Sequence, residues 1–379
     1  MHPPRKRRRG RGGRSIVVGL ATAWLWAVLP WGSSTGMATE PEPASGPAAA
    51  LRITDLRLLG THNSYHVAPD RFVARLIEAA VPDEARAIDC TQRPIPEQLD
   101  RLGVRNLELD CYRDPDGGMF AMPLGLTLAG ALGAPPLEWT EALAAPGIKV
   151  LHSPGFDFRT TVPTLSAALR EVKTWSDAHP RHVPIFLLLE LKSDAFAPPR
   201  PLPWDDVGFT ELEETILGVF PRERILAPDD LRGGRPTLRE AVDGVGWPDI
   251  DAHRGKIVCL MDNEGDVRDA YLADSPVLEG RLLFTSVPAD HPAAAFMKRN
   301  DPVRQHDEIR RLVDAGFLVR TRVDAGLEEP GRADLGRFEK ALASGAQLLS
   351  TDVPEPDTRF PGYRITLPPP PGEGDASAP

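Results

Sequence analysis

At 379 residues, with 41% hydrophobic residues, the chain is long enough to build one large α/β barrel around a sizeable core. Its formal net charge of −10 excludes nucleic-acid binding by bulk electrostatics and leaves divalent cations as compatible partners. Cys90, Cys111 and Cys259 lack the paired spacing of a zinc site.

The chain opens with a basic stretch, "RKRRRGRGGR" (5–14), followed by an apolar run, "SIVVGLATAWLWAVLP" (15–30), and the small residues "GMA" (36–38). The apolar run is short for a membrane span, so 1–38 reads as a secretory signal peptide, with an uncleaved anchor as the alternative. Export, to the periplasm or the medium, is the expected fate. Removing 1–38 takes away seven of the 44 basic residues and none of the 54 acidic ones, which leaves a net charge of −17. An oxidising compartment permits one disulfide, and Cys90–Cys111 is the first pair to test. The odd thiol is expected to be buried as a small apolar group. "TEPEPASGPAAA" (39–50) has too little to bury and is expected to be a disordered linker.

The body of the chain (51–366) alternates short β-rich runs with helical stretches. Eight strands are predicted: "LRLLGT" (56–61), "RNLELD" (105–110), "KVLH" (149–152), "PIFLLLE" (184–190), "KIVCLM" (256–261), "LLFTS" (282–286), "FLVRTR" (317–322) and "QLLST" (347–351). Helices are predicted over 94–103, 161–180, 209–220, 307–316 and 334–345. Alternation of this kind gives parallel pairing through right-handed crossovers, and eight units give a (β/α)₈ TIM barrel. The connection 111–148 has no clear long helix, so the barrel is expected to be irregular between strands 2 and 3. An open doubly wound sheet is disfavoured, because no glycine-rich phosphate turn follows the first strand. The tail "LPPPPGEGDASAP" (367–379) reads as disordered.

The strand ends carry the chemistry. Strand 1 ends in "GTHNSYH" (60–66), strand 2 holds Glu108 and Asp110, strand 3 ends at His152, and strand 4 ends at Glu190 followed by Lys192. Residues two apart on a strand share a face, so Glu108 and Asp110 point one way while Leu107, Leu109 and Cys111 point the other. The apolar side suits surrounding helices. The acidic side would face the barrel interior near its C-terminal mouth. Three clustered carboxylates need a countercharge. Asn63, Glu108, Asp110 and Glu190 form an all-oxygen ligand set that favours calcium, or less strongly magnesium, over zinc. His62 and His152 remain free for proton transfer. Lys192, Arg320 and Arg322 are candidates for holding phosphate, weighed against ordinary surface ion pairing. His66, His179, His182, His253, His291 and His306 are assigned no role and are expected to be solvated.

The motifs "GTHNSYH", "EQLDRLGVRNLELDCYRDPDGG", "PGIKVLHSPGFDFRTTVPTL" and "WSDAHPRHVPIFLLLELK" occur in this order over roughly residues 51–195. There the chain resembles the calcium-dependent phosphoinositide-specific phospholipase C family of barrel phosphodiesterases. "GFLVRTRVDAG" and "GAQLLSTDVPEP" extend a weaker likeness into the second half. The resemblance implies that His62 and His152 are the catalytic pair and that Asn63, Glu108, Asp110 and Glu190 hold calcium. It implies a phospholipid or soluble phosphodiester substrate, transient contact with a membrane surface, a monomer and no nucleic acid. "AIDCTQRPIPEQL" (87–99) departs from the simpler "HPPL"-like approach expected before "EQL", which leaves substrate preference open. A glycerophosphodiester phosphodiesterase is the nearest rival, although that family usually opens its site with His-Arg-Gly. A catalytically silent, calcium-stabilised binding protein is the rival of another class. The apolar segment 119–137 is the one interfacial candidate, set against a buried crossover.

Overall fold

The computed structural model describes residues 50–133, 140–195 and 197–373. The signal segment, the linker apart from Ala50, and 374–379 lie outside the described residues. Nine strands form one sheet: β1 (Leu58–Thr61), β2 (Asn106–Tyr112), β3 (Lys149–Val150), β4 (Ile185–Leu191), β5 (Ile257–Met261), β6 (Leu283–Thr285), β7 (Phe296–Lys298), β8 (Leu318–Arg322) and β9 (Leu348–Thr351). Eight of them run parallel in the order β6-β5-β4-β2-β1-β9-β8-β7. A parallel bridge between Ser286 and Phe296 brings β6 onto β7 and closes the barrel. Gly60 permits the close approach of β1 to β2: an added Cβ would lie 2.8 Å from Asn106 Oδ1.

The expected helices are present at Ile95–Arg101, Leu165–Ala178, Asp206–Leu217, His306–Asp314 and Gly336–Ser344. Local chemistry starts two of them. The Thr164 side chain accepts a hydrogen bond from Ala167 N, and the Asp205 side chain accepts one from Gly208 N.

One expected stave is corrected. The run 149–152 yields only the two-residue β3, which pairs antiparallel with β2 through Cys111↔Val150 and Tyr112↔Lys149. The pairing of β1 with β2 stops at Leu107, while β2 continues to Tyr112. β3 takes the vacated edge beyond the end of β1, at the barrel mouth. The missing stave is β7, whose three residues are too few to show a period. The irregularity expected between strands 2 and 3 is this excursion.

Three further expectations are corrected. All three cysteines are buried free thiols. Cys111 sits on the helix-facing side of β2, whereas Cys90 lies at the mouth with Sγ 3.9 Å from His66 Nδ1. The tail is not free over 367–373: Pro371 O accepts from Arg254, and Glu373 pairs with Arg105 and accepts from Val183 N. Arg105 is buried against the Trp175 ring, and its charge needs a partner there. Finally, His66 and His182 are buried rather than solvated, each with both ring nitrogens engaged.

Helices the sequence did not announce stand over the mouth. Arg71–Ala80 and Pro82–Ala87 follow β1, and Leu124–Gly130 follows β2. They share a small apolar core of Val73, Ile77, Ile88, Ala129 and Phe158, separate from the barrel core. No helix among the described residues is long and apolar enough to cross a membrane.

Candidate active site

The polar cluster after β1 is a cross-linked turn. Ser64 N donates to Glu108 O at 2.9 Å, and Glu108 N donates to Ser64 Oγ at 2.8 Å. Ser64 thereby continues the pairing with β2 where the strand itself has ended. Thr61 Oγ1 meets Ser64 Oγ at 2.6 Å and Gln98 Oε1 at 2.7 Å, and Gln98 Nε2 donates to Ser64 O. His62 and Asn63 stand at the apex. Asn63 adopts φ +46°, a left-handed conformation that asparagine tolerates better than most residues and that is enriched at functional sites. Gln92, from the divergent loop, donates to Asp352 O at 3.1 Å and ties this apex to the end of β9.

Asp110 and Glu190 are register partners on β2 and β4, and Glu108 lies two residues before Asp110 on the same face. Carboxylate oxygens of the three lie within 4.8 Å of one another. Glu108 forms an ion pair with Arg320, which crosses the lumen from β8 and also donates to Ser350 Oγ at 3.1 Å. Lys192 Nζ lies 3.1 Å from Glu190 Oε1 and 3.5 Å from Asp110 Oδ2. Asp110 is fully buried, and neither of its oxygens has a hydrogen-bond partner. Burial, and then the charge of Glu190, push its pKa up to about 8. Two orphaned oxygens aimed into a cluster of hard donors fit a divalent cation of the calcium or magnesium type.

Two histidines flank the cluster, each backed by an aspartate. His62 Nδ1 meets Asp352 Oδ1 at 2.7 Å, and Asp352 Oδ2 accepts from Arg322 at 2.7 Å. Burial alone would raise the Asp352 pKa, but Arg322 and His62 hold it far below the usual carboxylate range. His62 Nε2 faces Glu108 Oε1 at 3.7 Å and Arg322 at 3.3 Å. His152 Nδ1 meets Asp157 Oδ2 at 2.7 Å, and the same carboxylate bonds His66 Nε2 at 2.9 Å. His66 Nδ1 is in turn bonded to Cys90 O. Burial opposes charge on both rings, yet Asp157 carries His152 up to about 9 and His66 up to about 10. Asp157 itself is lowered, the two imidazoles overcoming its burial. Both dyads open onto a cavity of about 100 Å³ lined by His62, Asn63, His66, His152, Arg322 and Asp352.

The structure thus brings Glu108, Asp110 and Glu190 into one cluster and sets His62, Asn63 and His152 around a cavity at the same end of the barrel. Lys192, Arg320 and Arg322 are there too, engaged in internal ion pairs rather than surface ones. Sequence reasoning missed Asp157, Asp352 and His66. Asp157 lies five residues after His152 and Asp352 directly follows β9, but nothing in their local pattern distinguishes them from loop aspartates.

A parallel α/β barrel whose C-terminal mouth joins an acidic cluster to two aspartate-backed histidines defines a class of phosphodiesterase. The model of the Ca2+-dependent phosphoinositide phospholipase C family matches residues 51–372, and the chain belongs to that family. It is a phospholipase C-type phosphodiesterase, and neither rival reading is favoured. No curated protein matches the sequence. Several solved structures share the fold. A calcium-dependent phosphoinositol-specific phospholipase C from Pseudomonas sp. is 18% identical, with 83% of this chain and 94% of that one covered at a TM-score of 0.51. A Ca2+-dependent phosphatidylinositol-specific phospholipase C from Streptomyces antibioticus is 17% identical, with 80% and 96% covered at a TM-score of 0.51.

Proposed function

We propose that the protein is an exported, monomeric, calcium-dependent phospholipase C that cleaves inositol phospholipids at a membrane surface. The observation that carries this reading is the buried Asp110 carboxylate, without a hydrogen-bond partner, clustered with Glu108 and Glu190 beside two aspartate-backed imidazoles. Asn63, Glu108, Asp110 and Glu190 would hold calcium. The bound ion supplies a Lewis acid that acidifies the attacking hydroxyl and offsets charge on a phosphoryl oxygen.

The chain's own groups do the rest. A neighbouring carboxylate takes the proton of the headgroup hydroxyl adjacent to the phosphate, and that oxygen attacks phosphorus. His62, oriented by the contact between its Nδ1 and Asp352, directs Nε2 at the phosphoryl oxygens. His152, kept protonated at Nδ1 by Asp157, delivers the Nε2 proton to the departing glycerol oxygen as the P–O bond breaks. The products are a cyclic inositol phosphate and diacylglycerol. Arg322, beside His62, and Lys192 supply positive charge for the phosphate.

A lipid substrate is supported by what lies next to His152. A groove of about 260 Å³ runs from His152 between Leu76, Ile77, Ala80, Val81 and Phe156. Close by, Met122, Leu124, Leu128 and Leu132 expose apolar side chains before, on and after the helix packed against that wall. The segment 119–137 is therefore the interfacial element of this reading, although 134–139 lie outside the described residues. With a net charge of −17 once the signal segment is removed, docking on anionic lipid depends on this apolar contact rather than on charge.

Headgroup release is measured from phosphatidylinositol, phosphatidylcholine, phosphatidylglycerol and glycerophosphoinositol, with calcium or with chelator. Calcium-dependent formation of cyclic inositol phosphate from phosphatidylinositol is expected. Glycerol 3-phosphate as the product, or full activity in chelator, overturns the proposal.

A further inference from the structure

Lys192 occupies a position that neither charge neutralisation of a loaded metal site nor packing requires. It lies two residues beyond Glu190 and so shares the face of the cluster. Its backbone is pinned: Lys192 N donates to Cys111 O at 2.9 Å, and Lys192 O accepts from Trp204 Nε1 at 3.1 Å. Only the four-carbon stem is free to move. The ammonium bridges Glu190 and Asp110, while Arg320 serves Glu108. The two cations differ in one decisive respect. Arg320 is 1% exposed and is held by Ser350 as well as Glu108, whereas the Lys192 side chain is 19% exposed and has an exit to solvent. An ammonium is also a compact, strongly hydrated charge that a flexible stem can return to water, unlike a forked guanidinium held at several points.

We propose that Lys192 is the resident counter-ion of the cluster, and that a divalent cation binds by displacing its ammonium from Asp110 and Glu190. This rests on the metal-site reading above. Two consequences follow from the exchange. The metal-free protein keeps three close carboxylates folded without an added ion. The site also binds divalent cations more weakly than its oxygen set alone would, because entry must break two ion pairs. Displacement favours a doubly charged ion: a monovalent cation replaces one positive charge with another and gains nothing from the trade.

Calcium titration calorimetry on the purified, metal-free protein, with no substrate present, tests the exchange. Wild type is compared with Lys192→Met, which keeps the stem and removes the charge, and with Lys192→Arg, which keeps the charge and adds a fork that grips carboxylates. The expected order of affinity is Met above wild type above Arg, with a gain of about tenfold or more for the Met variant. The metal-free Met variant should melt below metal-free wild type, and saturating calcium should close that gap. If the Met variant does not fold, weaker binding by the Arg variant alone supports the exchange. Equal affinity across the variants, or weaker binding by the Met variant, overturns it while leaving the metal site intact. Absence of calcium binding by wild type overturns the metal-site reading itself.

Discussion

Replacing Asp157 with asparagine removes one negative charge from between two imidazoles and changes almost nothing in shape. In the native protein this carboxylate accepts from His66 Nε2 at 2.9 Å and from His152 Nδ1 at 2.7 Å, in a setting where it is 3% exposed. The rise of His66 from 6.5 to about 10 corresponds to about 5 kcal/mol of preference for the imidazolium, and that of His152 to about 9 corresponds to about 3 kcal/mol. Both draw on the same carboxylate, so they do not add. A net cost of about 3–5 kcal/mol is expected, the range for a buried pair broken on one side. The sign of the pH dependence follows. The two raised histidines stabilise fully below about 6.5, and their contribution is lost as pH rises through 9 and 10. The lowered Asp157 stabilises above 3.8, and its contribution is lost as pH falls below that. Wild type should therefore lose stability between pH 6.5 and 10, and Asp157→Asn should flatten that slope. In catalysis the variant loses the group that keeps His152 protonated at Nδ1. Its kcat should fall about 100 to 10,000-fold, with KM less affected. Thermal melts across pH, together with the pH profile of kcat on phosphatidylinositol vesicles, measure both effects. A variant with wild-type kcat and an unchanged pH slope of stability refutes the reasoning.

His62→Ala and His152→Ala should each lose about 100 to 10,000-fold in turnover while keeping the wild-type circular dichroism spectrum. Asp110→Asn should abolish calcium binding by calorimetry and raise the melting temperature of the metal-free protein, on the order of 5 °C near pH 8. Because the Asp110 pKa is raised, its penalty grows from pH 3.8 to about 8, so the gain should vanish in acid. Leu128→Asp combined with Leu132→Asp should slow hydrolysis of vesicle phosphatidylinositol about tenfold and leave a soluble short-chain substrate unaffected. Glu373→Gln should cost about 3 kcal/mol in denaturant unfolding, by leaving Arg105 buried and unpaired at the opposite end of the barrel.

Much of this site was legible because strand periodicity is local. Glu108 and Asp110 alternate with Leu107 and Leu109, and that pattern alone places two carboxylates on one face next to an apolar one. The runs ending in Thr61 and Glu190 announced themselves in the same way, through length and composition. β3 shows where this logic stops. Its residues read as a strand, and they form one, but a run of residues does not say which edge is vacant. β2 outruns β1, and the exposed edge captures 149–150 antiparallel. That capture is what swings His152 over the mouth. β7 went unseen because three residues carry no period.

What the sequence determined by itself was the barrel, its order of parallel staves in outline, and the identity of the acidic and imidazole groups at its mouth, since alternation and strand ends are encoded within a few neighbouring residues. What only the tertiary structure decided was which aspartate backs which histidine, that His66 is buried beneath Asp157, and that Lys192 and Arg320 form ion pairs with the cluster. Asp352 reaches His62 across 290 positions of chain, and Arg320 reaches Glu108 across 212. Closure of the barrel makes those pairs adjacent, and the distant residues that close it leave no mark on the local pattern.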